Sequence, residues 1–283
     1  MEIDQLKSLL KRFHIRPNKD LGQNFLLNED VLDEIVEAAD LSKTDSILEI
    51  GPGLGFLTVR LAERAGKVIA VEKDRKLARV LNKIFKKNKN IKIINDDVLY
   101  LTADSSQLTA GYKVVANIPY YLTGKIIQNF LTARYKPNLM VLLLQKEVAK
   151  RITALPGQMS ILSVSVQLYA DPEIISHVGK ENFYPVPEVD SATVRLKILS
   201  KPRLAVDEKE FFRLVKIGFS NKRKQLQNNL AAGLGKTVDY KELLVDLQLN
   251  PLTRAQDLSL VEWGRLYDKL KFQSSNVKSN PKS

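Results

Sequence analysis

The chain contains no cysteine, which excludes disulfides, thiolate metal sites and thiol nucleophiles together. Histidine is nearly absent too. His14 and His177 alone give too little imidazole for a His-rich metal cluster or a serine-type triad, so no metal is expected. No apolar run approaches the roughly 20 residues that cross a bilayer. The N-terminal segment interleaves charges with apolar side chains where a secretory signal would be continuously apolar. A cytoplasmic protein outside the membrane is the expectation. Acidic charge is the scarcer sign: 32 Asp and Glu against 44 Lys and Arg leave a net +12. Such a surface attracts a polyanion by releasing its counterions, and an anionic membrane would exploit the same charge. Nucleic acid is the leading expected partner.

What is present suffices for a core, since 44% of the 283 residues are hydrophobic. From Ser46 onward, short apolar runs alternate with amphipathic stretches, the pattern of a parallel sheet wound with helices. Strands are expected at 46–50, 68–71, 91–94, 113–116 and 140–144, the last apolar enough to be buried on both faces. An antiparallel pair at 173–178 and 191–199 is expected at one sheet edge. After Lys201-Pro202 the pattern turns helical, which places a boundary near residue 200. The expected organisation is a Rossmann-like α/β domain over 1–200, a small helical domain over 201–272 and a disordered tail over 273–283. The first 200 residues carry 28 basic and 23 acidic side chains and the remainder 16 and 9, so the smaller domain is the more basic for its size. No apolar helix is left over for self-association, and a monomer is expected.

The run Ile47-Leu48-Glu49-Ile50-Gly51-Pro52-Gly53-Leu54-Gly55 is a buried strand entering a glycine turn and then a helix, the place where open α/β sheets bind nucleotides. Its glycines run G-x-G-x-G, and Phe56 stands where a dinucleotide site would carry its last glycine. S-adenosyl-L-methionine fits better. It has no pyrophosphate to seat on a helix N-terminus, so Gly51 and Gly53 need only expose backbone to its amino-acid half. Glu72 lies 21 positions beyond Gly51 at the end of the next strand, where a carboxylate can accept from both ribose hydroxyls. The bland alternative is a solvated loop charge beside Lys73. After the third strand, Asp97 of Asn95-Asp96-Asp97-Val98 can accept from the cofactor's adenine amine, although such acidic pairs more often serve as turns or caps.

The sharpest motif is Asn117-Ile118-Pro119-Tyr120 at the end of the fourth strand. An adenine amine is a poor nucleophile because its lone pair is delocalised into the ring. Attack on a sulfonium methyl is favoured when both N–H bonds are held by acceptors, and the Asn117 side-chain oxygen with a main-chain carbonyl, that of Ile118, can hold them. Pro119 fixes the turn without offering a competing N–H, and Tyr120 offers a face for an unstacked base. No strong general base is needed, because the ammonium product releases its proton to water. The plain alternative is a strand-terminal turn, where Asn and Pro are both common.

With these motifs the sequence resembles the ribosomal RNA adenine N6,N6-dimethyltransferases from about Phe13 to about Leu270. The resemblance is carried by Leu21-Gly22-Gln23-Asn24-Phe25-Leu26, the glycine turn, Asn117-Ile118-Pro119-Tyr120-Tyr121, the run Phe183-Tyr184-Pro185-Val186-Pro187-Glu188-Val189-Asp190-Ser191-Ala192, and Arg223-Lys224-Gln225-Leu226 with Asn229-Leu230. It implies a class I methyltransferase fold and cofactor contacts from Asn24, Leu26, Gly51, Glu72, Asp97 and Asn117. It also implies methylation of two adjacent adenosines near the 3′ end of small-subunit ribosomal RNA within a pre-ribosomal particle. For RNA contact the candidates are Lys222, Arg223 and Lys224, with Lys11, Arg12, Arg16 and Lys19 in the N-terminal arm, although basic runs are commonly just solvated faces. Phe183 and Tyr184 are second-rank candidates to flank a flipped base opposite Tyr120; packing anchors are the alternative. Two rivals are a macrolide-resistance type methyltransferase acting on large-subunit RNA, which the Val189-Asp190-Ser191-Ala192 strand and the Arg223-Lys224-Gln225-Leu226 helix argue against, and a binding factor of the same superfamily without turnover, which the intact cofactor motifs argue against.

Overall fold

The computed structural model describes residues 3–18, 21–101, 111–236 and 238–278. Lys19 of the basic arm and the last five residues of the tail lie outside the described residues. Nine strands are found among them: β1 (Phe25–Leu26), β2 (Ser46–Ile50), β3 (Lys67–Glu72), β4 (Ile91–Asn95), β5 (Lys113–Asn117), β6 (Leu139–Gln145), β7 (Ala170–Val178), β8 (Phe183–Tyr184) and β9 (Ser191–Ile198). Seven form one sheet in the order β4-β3-β2-β5-β6-β9-β7. β2 to β6 run parallel, and β9 and β7 close one side antiparallel. The apolar run of β6 is buried on both faces between β5 and β9, as its composition requires. Pro172, which cannot donate to a ladder, is tolerated because β7 is the edge strand.

The chain divides into two compact units, Met1–Lys150 with Ala170–Ser200, and Arg151–Tyr169 with Lys201–Ser283. The expected boundary at 200 therefore needs a correction, because 151–169 belongs with the helical unit. Its helix Ile161–Tyr169 buries Val164, Val166, Leu168 and Tyr169, which need an apolar partner, and it packs on the helix Leu260–Lys278. That last helix also runs through much of the expected disordered tail.

Within the first unit, β1 and β8 form a two-residue ribbon that sequence periodicity is too short to reveal. Successive side chains point to opposite faces, so Leu26 and Phe183 enter one core cluster with Leu32, Ile35 and Val178. Phe25 and Tyr184 pack instead with Leu6, Leu10, Ile15, Leu54 and Leu77, which fastens the arm helix Ile3–Arg12 to the domain.

The second unit is built on helices Glu208–Gly218, Leu226–Leu234, Tyr240–Asp246 and Leu260–Lys278 around Phe211, Val215, Leu226, Leu230, Leu244 and the single Trp263. Asn229 is buried there. Its amide nitrogen donates to the Gly218 carbonyl at 2.6 Å and the Asn221 carbonyl at 3.0 Å, anchoring the exposed turn that carries Lys222, Arg223 and Lys224. Asn229→Ala leaves the buried Gly218 carbonyl unpaired and is expected to cost about 2 kcal/mol. Urea unfolding followed by Trp263 fluorescence checks this, and an unchanged midpoint would contradict it.

Candidate active site

The strand order places the topological switch between β2 and β5: from β2 the chain winds outward through β3 and β4, then returns to β5 on the other side. Because β2 to β5 are parallel and in register, with Ile50 opposite Val71 and Ala116, their C-terminal ends share one edge. That edge brings the candidate residues together. A cleft there is lined by Gly22, Glu49, Gly53, Glu72, Asp97 and Asn117 among others, and Asn24, Leu26, Gly51, Ile118, Pro119 and Tyr120 also face it.

Gly53 shows why the turn is glycine-rich. Its φ is +60°, and a Cβ there would lie 3.2 Å from the Phe25 ring. The freed backbone then serves the site: the Gly53 N–H donates to Glu72 Oε2 at 3.1 Å, while the Asp74 N–H donates to Oε1 at 2.8 Å. Glu72 is only 6% exposed, so it is no solvated loop charge. Burial pushes its carboxyl up to about 7, with the two backbone donors working the other way. Each oxygen has spent one lone pair on backbone and keeps another for a ligand hydroxyl. Asp74 caps the helix Arg75–Ile84 and accepts from Gln23 Nε2 at 3.2 Å, so the arm reaches the Glu72 loop through a side chain.

Asp97 follows β4. Its Oδ2 pairs with Lys73 Nζ at 2.9 Å and its Oδ1 accepts from the Leu99 N–H at 3.0 Å. Partial burial raises its pKa, but the Leu99 and Lys73 contacts outweigh it and hold the carboxyl below its ordinary range. Here the acidic side chain is an ionised acceptor at the cleft wall.

Asn117 closes β5. Its amide nitrogen donates to the Asn24 carbonyl at 3.1 Å, an orientation the partner dictates because only the NH₂ side of the amide can meet a carbonyl. The amide oxygen accepts from no other described residue and is left facing the cleft as an acceptor. The next residue continues the pattern: the Ile118 N–H is spent on the Leu143 carbonyl at 3.1 Å, its side chain is buried, and its own carbonyl receives no hydrogen bond from another described residue. Two uncommitted oxygens thus stand on consecutive residues beyond a buried strand. Tyr120 begins a short 3-10 turn, and its hydroxyl bonds Ser191 Oγ at 2.8 Å, fixing the ring to the start of β9.

Phe183 and Tyr184 do not take the places proposed for them opposite Tyr120. Phe183 is 1% exposed and packed in the core, and the half-buried Tyr184 ring lies 6.0 Å from Lys7 Nζ against the arm cluster. Neither lines the cleft; their pairing with β1 turns both into anchors. Lys222, Arg223 and Lys224 are exposed and unpaired with other described residues, in the turn before the helix Leu226–Leu234.

Residues 15–271 match the model of the ribosomal RNA adenine dimethylase family. The chain belongs to that family. A ribosomal RNA small subunit methyltransferase A from Dehalococcoides mccartyi (strain ATCC BAA-2266 / KCTC 15142 / 195) is 44% identical over 270 residues, covering 93% of this chain and 91% of the relative. Among solved structures, a dimethyladenosine transferase from Plasmodium falciparum is similar with a TM-score of 0.74 at 27% identity, over 89% of this chain and 98% of that one. The 23S rRNA methyltransferase ErmE is similar with a TM-score of 0.72 at 29% identity, over 87% and 99%.

In this member of the dimethylase family the sequence reasoning passed over Glu49, Gln23 and Ser191. Glu49 is the most consequential. It faces the cleft from the middle of an apolar strand, is 1% exposed, and neither carboxylate oxygen makes a hydrogen bond of ordinary geometry with another described residue. Burial pushes its carboxyl up to about 8; the nearby Thr58 hydroxyl works the other way without offsetting it, and Glu72 adds to the rise. The overlooked signal was an ionisable residue inside a strand otherwise fit for burial on both faces.

Both raised carboxyls hold protons in the folded chain that the unfolded chain releases above about pH 4.5. Their stabilising contribution is complete below that pH and is lost as pH rises to about 8. Without ligand, Glu49→Gln is expected to match the wild type near pH 4 and to exceed it at pH 8 by a few kcal/mol (order of magnitude). Thermal unfolding across that range checks this. A wild type that keeps its stability to pH 8 would show Glu49 to be satisfied by a partner.

Proposed function

We propose that the protein uses S-adenosyl-L-methionine to dimethylate the N6 amines of two adjacent adenosines near the 3′ end of small-subunit (16S) ribosomal RNA. It does so as a cytoplasmic monomer acting on a pre-ribosomal small subunit. The observation that carries this is the Asn117 amide, whose nitrogen is committed to Asn24 while its oxygen, like the neighbouring Ile118 carbonyl, accepts from no other described residue. A pair of acceptors suits an NH₂ group. Holding both N–H bonds draws the amine toward tetrahedral geometry and frees its lone pair, so positioning is the main contribution to rate. Pro119 offers no N–H that would compete, and Tyr120, braced by Ser191, presents a ring to an unstacked base.

The donor set fits the cofactor. Glu49 is a buried carboxyl whose oxygens make no hydrogen bond of ordinary geometry with another described residue, which suits an ammonium that would hold it ionised; Glu72 retains acceptor capacity for ribose hydroxyls; Asp97 is an ionised acceptor for an adenine amine. Gly51 and Gly53 bring backbone to the cleft, and Asn24 and Leu26 cover it from the arm. When bound, the cofactor supplies an electrophilic methyl on a sulfonium. No residue with a histidine-like pKa is needed, because the product ammonium loses its proton to water. RNA phosphates are gripped by Lys222, Arg223 and Lys224, with Lys11, Arg12 and Arg16 of the arm as a further basic surface.

The small-subunit assignment is supported by relatives of that name at 42–44% identity over 93% of this chain. The likeness to ErmE keeps the large subunit as the comparison to test. Incubated separately with each subunit and labelled cofactor, the protein is expected to label small subunits, and label confined to large subunits would reverse the assignment. Asn117→Ala is expected to lower the methylation rate about 10²–10³-fold with RNA affinity nearly unchanged. Wild-type protein that binds RNA in every assembly state but transfers no methyl would make it a binding factor instead.

A further inference from the structure

The net charge of the chain is concentrated in one segment. Residues 73–92 hold nine Lys or Arg and one acid, a net of +8 out of the chain's +12. The other 180 of the first 200 residues hold 19 basic and 22 acidic side chains, so without this segment they would be acidic overall.

The segment is the helix Arg75–Ile84 with the turns on either side and the first two residues of β4. Leu77, Ala78 and Leu81 bury one face. Arg75, Lys76, Arg79 and Lys83 are exposed on the other and, at about 100° per residue, fall within one third of the helix circumference. Lys86, Lys87 and Lys89 continue the exposed row beyond the helix. Arg75, Arg79, Lys83, Lys86, Lys87 and Lys89 form no ion pair with any described residue. The acid of the segment, Asp74, is spent on capping the helix, and Lys73 is spent on Asp97.

A solvated face is the ordinary explanation of a charge run, but the placement here works against helix stability. Arg75 and Lys76 occupy the first turn, where the helix dipole disfavours cations, and Arg75, Arg79 and Lys83 repel one another at successive i,i+4 spacings. Solubility alone is served better by mixed signs. The row also has a position that matters. Leu77 of this helix lines the cofactor cleft. On the arm side, Lys76 Nζ reaches the His14 carbonyl at 3.5 Å, and Leu77 and Val80 pack with Leu6, Leu10 and Ile15. The exposed Lys11, Arg12 and Arg16 of the arm therefore extend the same surface.

We propose that the outer face of Arg75–Ile84, continued by Lys86, Lys87, Lys89 and the arm cations, is an RNA-phosphate surface that seats the substrate strand beside the cleft. It rests on the reading that the substrate is RNA, and it assigns the methyltransferase unit its own grip in addition to that of Lys222–Lys224. Recognition is of backbone charge rather than sequence, because every exposed group in the row is a cation with no aromatic among them.

The test uses the full chain with Arg75→Gln, Arg79→Gln and Lys83→Gln combined, all exposed positions where folding is checked by thermal unfolding. Binding to protein-free small-subunit ribosomal RNA is measured across a salt series, and methylation of small-subunit particles is measured alongside it. The plot of log affinity against log salt is expected to lose about 2–3 units of slope, and affinity near 0.1 M salt to fall about tenfold or more. The loss should enter KM rather than kcat, with S-adenosyl-L-methionine affinity within about twofold of wild type. An unchanged slope overturns the proposal. So does an unchanged RNA slope with lost binding to vesicles of anionic phospholipid, which would make the face a membrane surface. Should wild type bind RNA without methylating it, the proposed activity fails, while the salt slope still decides for or against this surface.

Discussion

One hydrogen bond, from the Asn117 side-chain nitrogen to the Asn24 carbonyl, sets the direction of the amide on which the proposed chemistry depends. It joins the end of β5 to the N-terminal arm, and by occupying the donor half of the amide it leaves the acceptor half to the cleft. The rest of the first unit holds that pair in place. β5 is buried between β2 and β6, the Ile118 N–H is drawn onto β6, and the arm is pinned by the β1–β8 ribbon and by Gln23 on Asp74. A loop alone would not hold two oxygens steady, whereas a strand end and a packed arm can.

The same edge bears an electrostatic load. Glu49 and Glu72 are two buried carboxyls in one cleft, and burial pushes both up, with the Glu72 charge adding to the rise of Glu49 and the Asp74 charge to that of Glu72. Without ligand such a site loses stability as pH rises toward 8, and a ligand carrying positive charge and hydroxyl donors would offset that loss. The exposed charge has the opposite sign: the cleft offers acceptors and carboxylates, and the basic helix beside it offers cations. One helix thus presents an apolar side chain to the cleft at Leu77 and cations to solvent at Arg79 and its neighbours.

Much of this was legible in the sequence for a physical reason. Parallel strands buried on both faces are continuous apolar runs, and parallel strands end at one edge, so finding Gly51, Glu72, Asp97 and Asn117 after successive runs was enough to bring them together. What escaped lacked such a repeat. A two-residue ribbon linking Phe25–Leu26 to Phe183–Tyr184 has no period to detect, and so Phe183, read as a surface for a base, is a core anchor. The excursion 151–169 was assigned by its place in the chain, although its largely apolar helix packs within the helical unit. Glu49 was hidden by its strand, since periodicity tells which face a residue occupies but not whether a charge there has a partner.

The account stands on the direction of the Asn117 amide relative to the reacting groups. A crystal structure with S-adenosyl-L-methionine and an adenosine-containing oligonucleotide tests it most directly. The amide oxygen of Asn117 and the carbonyl of Ile118 should both lie within hydrogen-bonding distance of the base's N6, with that nitrogen in line with the sulfonium methyl. An Asn117 side chain rotated toward solvent, or a base whose amine meets neither oxygen, would contradict it.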